Sequence, residues 1–82
     1  MLEVEHKPNF LKRIHKIKDN SIKEQVKNQI KKILKNPEIG KPMKYIRKGT
    51  RELYIGSFRL SYAYLKDENK IIFLDLYYKD EQ

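Results

Sequence analysis

The side chain with the clearest chemical potential in this sequence is Arg59. It lies in an alternating segment, Phe58–Leu65, which places it on the opposite face from Phe58 and Leu60, next to Glu52 and Tyr54 of the preceding segment. A planar guanidinium can hold a phosphate through two parallel hydrogen bonds. It can equally form a cross-strand ion pair with Glu52 or Asp75. From the residues alone, the ion pair is the better interpretation.

A second basic and aromatic group closes the last alternating segment. Tyr77, Tyr78 and Lys79 follow one another there. Unpaired RNA bases stack on such rings, and a neighbouring cation attracts phosphate. Alternation turns one of the two tyrosines toward the core, so we expect at most one to be free.

Other catalytic classes have few residues to support them. The sequence has no cysteine, which excludes a thiol nucleophile and a thiolate metal site. His6, expected in a loop, and His15, expected on the solvent side of a helix, have no third ligand at a metal spacing. None of the three glycines belongs to a phosphate-binding motif. We expect no cofactor and no metal.

The elements that position these residues form an α+β domain in the order β-α-α-β-β-β. Residues 2–5 alternate as a strand does, and apolar residues at three- and four-residue steps predict helices near residues 10–17 and 21–35. Ser21 and Glu24 have the spacing of a capping box. Three strands are predicted at Thr50–Ile55, Phe58–Leu65 and Lys70–Tyr78, with Gly56 leading a two-residue turn. A helical hairpin would cover one face of this small, mainly antiparallel sheet.

Length and charge bound the remaining possibilities. The 82 residues allow a single domain, residues 1–82, with no apolar run long enough to cross a bilayer and no secretory signal. Residues 1–48 carry 14 Lys and Arg against 5 Asp and Glu, and the whole chain has a net charge of +8. A cytoplasmic protein that binds a polyanion, such as RNA, DNA or the ribosome, or an acidic protein, fits this balance. A genome-wide lysine bias would produce the same composition.

The segment Arg51–Tyr62, with the sequence RELYIGSFRLSY, resembles the hairpin motif E-L-R-x-G-x-Y-R-x-x-Y of the RelE/ParE toxin superfamily of type II toxin–antitoxin systems. Lys41-Pro42-Met43 is similar to the K-P-L that often precedes it. Ile72–Lys79 is similar to the closing strand, which in many members ends in a basic residue. Together with the element order, the resemblance covers nearly the whole chain.

The resemblance implies a RelE-like mRNA interferase, which enters the ribosomal A site and cuts mRNA without a metal. The RNA's own 2′-hydroxyl attacks the adjacent phosphate while basic side chains stabilise the charge. It implies a phosphate contact for Arg59, a charge clamp for Lys79, and a base role for Tyr77 or Tyr78. It also implies a RelB-like antitoxin partner, which we expect to cover the Arg59 face. The residues expected to bind RNA or the ribosome are Lys44, Arg47, Lys48, Arg51 and Tyr54.

Three departures from the family pattern leave alternatives open. Tyr54 replaces the usual arginine, while Thr50 and Glu52 stand where ribosome-cleaving members carry lysines. A ParE-like gyrase inhibitor or a catalytically weak antitoxin-binding member would also fit. The presence of both Arg59 and Lys79 favours the endonuclease.

Overall fold

The computed structural model describes residues 1–45 and 48–81. Two helices pack on one face of a five-stranded mixed sheet, which confirms the predicted α+β architecture. The elements are β1 Glu3–His6, α1 Pro8–Lys16, α2 Asn20–Lys35, β2 Lys41–Pro42, β3 Thr50–Ile55, β4 Phe58–Leu65 and β5 Lys70–Tyr78. Short 3-10 turns follow β4 at Lys66–Glu68 and β5 at Lys79–Glu81.

The sheet has the strand order β1-β5-β4-β3-β2. β3, β4 and β5 form the predicted antiparallel meander, while β1 pairs in parallel with β5. A bulge between β4 and β5, at Ser61/Tyr62, leaves Leu74 without a partner on β4. The two-residue β2 was not predicted. It pairs Lys41 with Glu52 and so extends the sheet beyond β3.

Both helices turn an apolar stripe toward the sheet, α1 mainly onto β5 and α2 mainly onto β3. Pro8 stands in the first turn of α1, where its missing N–H costs nothing. The capping-box prediction for α2 is wrong, because Asp19 rather than Ser21 is the N-cap. The Asp19 side chain accepts a hydrogen bond from the Ser21 N–H at 2.8 Å, so the N-cap lies two residues earlier than predicted.

The core lies between the helices and the central strands. Its fully buried side chains come from α1, α2, β3, β4 and β5, and are Phe10, Val26, Ile33, Ile55, Leu60, Tyr62, Ile71, Phe73 and Leu76. His6 ends β1 rather than lying in a loop, and its ring stacks on Phe73 with the centroids 5.4 Å apart. His15 is exposed on α1, as expected.

Tyr62 ties the segment after α2 to this core. Its hydroxyl donates to the Pro37 carbonyl at 2.8 Å and accepts from the Gly40 N–H at 2.9 Å. Burial raises the pKa of this hydroxyl, although the Gly40 N–H and the nearby Arg51 charge oppose that shift. A Cβ on Gly40 would lie 2.6 Å from the Tyr62 oxygen, so the close approach requires glycine there.

Within the described part of the chain, no helix has both the length and the apolar character needed to cross a membrane.

Candidate nucleic-acid interface

The predicted site residues lie on the sheet face that points away from the helices. Pairing across β3, β4 and β5 places Tyr54, Arg59 and Tyr77 in one row, and Glu52 and Ser61 in the adjacent row. These five residues are called the Arg59 face below. Their strand neighbours Ile55, Leu60 and Leu76 point the other way, into the core, because successive side chains in a strand alternate.

Arg59 is held on this face by an aromatic ring and by the main chain. Its guanidinium carbon lies 3.8 Å from the centroid of the Tyr54 ring, a cation–π contact. Its Nη1 donates to the carbonyl oxygens of Phe58 at 3.1 Å and Gly56 at 3.3 Å. Among the described residues, neither Glu52 nor Asp75 forms the ion pair with Arg59 that the residues alone favoured. Main-chain carbonyls carry no formal charge, so a phosphate can compete with them for the guanidinium.

Glu52 and Tyr77 form a buried polar pair on the same face. Glu52 is 2% exposed and Tyr77 is 5% exposed, and the Tyr77 hydroxyl donates to Oε2 of Glu52. Asp75, the other carboxylate considered for Arg59, instead lies 3.8 Å from Nε of Arg13 on α1. The two expected partners of Arg59 therefore have other partners. Alternation predicted the face of Glu52, but no sequence signal predicted its burial.

The two consecutive tyrosines point to opposite faces of the sheet. Tyr77 lies directly across from Arg59. Tyr78 lies on the helix face, where its ring stacks on Phe58 with the centroids 4.3 Å apart, and it is half-exposed. One tyrosine is thus buried and the other partly free. The buried one, however, is the tyrosine that points away from the helices.

Lys79 begins the 3-10 turn after β5, at the same end of the sheet as Arg59. Its main-chain N–H donates to the Ser57 carbonyl at 3.0 Å, beside the β3–β4 turn that also supplies the Gly56 carbonyl to Arg59. Lys79 is exposed. The structure therefore brings two basic residues, 20 positions apart in sequence, to one end of the sheet.

The residues predicted to bind RNA or the ribosome are placed differently from one another. Lys44 and Lys48 are exposed near the β2–β3 connection, and Arg47 lies outside the described residues. Tyr54 is 54% exposed beneath Arg59. Arg51 points to the helix side, where Nη1 donates to the carbonyls of Gly40 at 2.8 Å and Glu38 at 3.0 Å. These contacts give Arg51 a role in holding the segment after α2.

Within residues 1–45 and 48–81, no group of three His, Asp or Glu side chains comes together as metal ligands would. What the Arg59 face offers is positive charge at one end of a sheet, an exposed aromatic ring beneath it, and a buried carboxylate–tyrosine pair alongside. Such an arrangement can bind and polarise a phosphodiester.

The sequence matches the family model described as ParE toxin of type II toxin-antitoxin system, parDE, over residues 4–82. A comparison with curated proteins gives no significant match.

Solved structures share the fold at low sequence identity. A chain of the intact RelBE toxin–antitoxin complex of E. coli is 17% identical to this chain; the match covers 93% of this chain and 94% of that chain, with a TM-score of 0.77. A chain of the RelBE2 toxin–antitoxin complex of Mycobacterium tuberculosis is 19% identical; the match covers 95% of this chain and 98% of that chain, with a TM-score of 0.79. The YoeB/ParE toxin of Agrobacterium tumefaciens is 13% identical; the match covers 94% of this chain and 98% of that chain, with a TM-score of 0.83.

Proposed function

Because this chain belongs to the ParE toxin family of type II toxin–antitoxin systems, within the RelE/ParE superfamily, we propose that it inhibits translation as a ribosome-dependent mRNA endonuclease in the cytoplasm. The main support for the proposal is the position of Arg59 and the contacts that it makes. Its guanidinium lies on the sheet face away from the helices, with only uncharged main-chain acceptors and the Tyr54 ring as its described contacts. Lys79 lies at the same end of the sheet.

The reaction requires no group that the chain lacks. The 2′-oxygen of the mRNA attacks the adjacent phosphorus, the bond to the 5′-oxygen breaks, and a cyclic phosphate and a 5′-hydroxyl result. Arg59 would hold the non-bridging oxygens, where negative charge grows, and the Lys79 ammonium would stabilise the departing 5′-oxygen, which takes its proton from water. Charge stabilisation of this kind is worth about 3 kcal/mol per group. The ribosome would orient the RNA.

Tyr77 is the better placed of the two tyrosines to accept the 2′-hydroxyl proton. It lies across from Arg59, and its own hydroxyl already donates to Glu52. As Tyr77 accepts the proton from RNA, it can pass its own to Glu52, so that no charge accumulates on the phenol. Tyr78 projects from the opposite face and has no part in this transfer.

The partner of the toxin would be a RelB-like antitoxin that covers the Arg59 face. A domain with a net charge of +8 attracts an acidic segment that folds as it binds. Arginine-specific modification by phenylglyoxal, read by mass spectrometry, tests this directly. Arg59 should be modified in the free toxin and protected in the complex. Equal modification of Arg59 in both states would contradict the proposal.

Inhibition of DNA gyrase is a second candidate, because the matching family model is that of ParE. The acid at Glu52 and the tyrosine at Tyr54 also reduce the positive charge on the Arg59 face. In this case the protein would block supercoiling by purified gyrase and leave mRNA intact.

A translation-coupled cleavage assay distinguishes these functions. Purified toxin is added to a reconstituted translation system, and mRNA ends are mapped by primer extension with wild-type protein and with Arg59→Ala. We expect cuts at A-site codons that require the ribosome and disappear with Arg59→Ala. Lys12→Gln, an exposed change on α1, is the matched control for loss of one positive charge. Intact mRNA with wild-type toxin, together with blocked supercoiling, would establish the second candidate instead.

A further inference from the structure

A separate cavity of about 450 Å³ opens on the helix side of the sheet, near the end where β5 finishes. The C-terminal half of α1, the α1–α2 connection, the β3–β4 turn and the last residues of β5 surround it. Its volume lies within the roughly 300–1,000 Å³ that is typical of small-molecule sites. Arg59, Tyr77 and Lys79 are not among its lining residues.

Two stacked aromatic rings form part of its wall. Phe58 and Tyr78 face each other across β4 and β5, with their ring centroids 4.3 Å apart and an interplanar angle of 27°. Tyr78 lines the cavity and is still 50% exposed. Its ring therefore extends an existing stack and leaves surface available for another planar group.

The rest of the lining is strongly basic. Arg13, Lys16 and Lys18 contribute to it, and both lysines are exposed. Arg13 is within 3.8 Å of Asp75. Among the lining residues that the structure describes, Asp19 is the one acid, and its carboxylate accepts the Ser21 N–H as the cap of α2. The described lining thus holds three basic side chains against one acidic side chain, and this excess of positive charge attracts an anion from solution.

We propose that this cavity binds an unpaired nucleotide of single-stranded RNA, with the base on Tyr78 and the phosphate beside Lys16 and Lys18. Base stacking on an aromatic ring within a basic groove is the general mode of single-strand binding. The same lysines would attract an acidic protein segment. The stacked, half-exposed ring among them favours the nucleotide, whose planar base and phosphate match both parts of the cavity.

The inference rests on the proposed function and names a second contact for its RNA. Ser57 lines the cavity on the helix side, while Gly56, the other residue of the same turn, accepts a hydrogen bond from Arg59. A strand that passes over this end of the sheet meets Arg59 on one side and Tyr78 on the other. The cavity nucleotide is then one that flanks the phosphate at Arg59.

The test measures binding of a fluorescein-labelled RNA octanucleotide by fluorescence anisotropy, without ribosomes. Tyr78→Leu should weaken binding about tenfold, the loss expected for one stacked base, whereas Tyr78→Phe should bind within about twofold of wild type because it keeps the ring. Lys16→Gln should weaken binding and flatten its dependence on salt by roughly 0.7 in the log–log slope. Lys12→Gln removes the same charge from α1 outside the cavity and is the matched control.

A measurement on the unmodified protein guards against a variant that fails to fold. In a titration with AMP followed by NMR, the amide signals of Lys16, Lys18 and Tyr78 should shift together, with little change at Lys12. Shifts spread evenly over the lysines would overturn the proposal. So would equal RNA binding by wild type and Tyr78→Leu.

Two further results separate the possible explanations. If Tyr78→Leu weakens binding of a glutamate-rich peptide but leaves RNA binding unchanged, the cavity belongs to a protein partner and the proposal fails. If RNA binding depends on Tyr78 although the wild-type toxin cuts no mRNA on ribosomes, the cavity proposal is supported and the endonuclease proposal fails.

Discussion

The hydroxyl of Tyr77 donates a hydrogen bond to Oε2 of Glu52, joining β5 to β3 diagonally across β4. Both side chains are buried on the face away from the helices, where a small sheet protein commonly meets solvent. The pair therefore forms a buried, hydrogen-bonded polar layer within the Arg59 face. The partly buried Arg59 and the exposed Tyr54 lie beside it.

Loss of either member of this pair should destabilise the protein. Tyr77→Phe leaves a buried carboxylate oxygen without one of its donors, and Glu52→Leu leaves the buried Tyr77 hydroxyl without that acceptor. We expect each to lower the free energy of unfolding by about 1–3 kcal/mol. Urea unfolding of both single variants and the double variant measures the coupling. Strictly additive losses would show that the hydrogen bond contributes nothing of its own.

Arg59 should not be replaceable by lysine. A lysine keeps the charge but cannot hold two phosphate oxygens at once or stack its plane on Tyr54. Arg59→Lys and Arg59→Ala should both reduce mRNA cleavage by about 100-fold or more, with unfolding free energies close to wild type. The measurement is the rate of A-site cleavage, with growth arrest on expression as a second readout. Full activity of Arg59→Lys would remove the bidentate contact from the mechanism.

The Tyr62 hydroxyl should contribute more to stability than other tyrosine hydroxyls on the same face. Tyr62→Phe removes both the donor to Pro37 and the acceptor for the buried Gly40 N–H. The expected loss is about 1–3 kcal/mol by urea unfolding. Tyr64→Phe, a change on the next helix-facing position of β4, takes no part in these contacts and is the control. Similar losses in the two variants would contradict this account.

The ion pairs of Glu5 should make the β1–β5 pairing sensitive to acid. Hydrogen bonds from Lys7 and then Lys70 hold the pKa of the Glu5 carboxyl below its usual value of 4.5. A lowered pKa in the folded state stabilises the fold above pH 4.5, and this stabilisation is lost as pH falls through the folded pKa. Because Glu5 is accessible to solvent, the effect should be small and weakened by salt.

The check compares Glu5→Gln with wild type by amide hydrogen exchange in β1 at pH 7 and by urea unfolding at pH 7 and pH 3. The variant should be less stable at pH 7, and the difference should become smaller at pH 3. Glu24→Gln on α2 serves as the control for a lost surface charge. A difference of the same size at both pH values would assign the effect to packing instead.

Local patterns predicted much of this fold. The bounds of β3, β4 and β5 agree with the sequence because alternation and the Gly56-Ser57 turn act over a few residues. β2 was missed because two residues, one of them Pro42, have no measurable period. The α2 cap was misassigned because Asp19 and Ser21 are both good capping residues, and only the chain path out of α1 decides between them.

The sequence predicted which face of the sheet Arg59 lies on, but not which residues it contacts. Alternation correctly placed Arg59 beside Tyr54, on the opposite face of the sheet from Leu60. Which partner Arg59 takes depends on the bulge and on long-range packing, which also bring Asp75 to Arg13 and Tyr77 to Glu52. No pattern within a single strand carries that information.

The position of β5 in the sheet has a consequence for how the protein is made. β5 is the last strand in chain order, yet it lies between β1 and β4. During synthesis, β1 cannot pair until residues 70–78 have left the ribosome. The row of Tyr54, Arg59 and Tyr77 also remains incomplete until then. Under the proposed function, a nascent chain would lack Tyr77 opposite Arg59, and so could not act on the ribosome that makes it, until β5 had emerged.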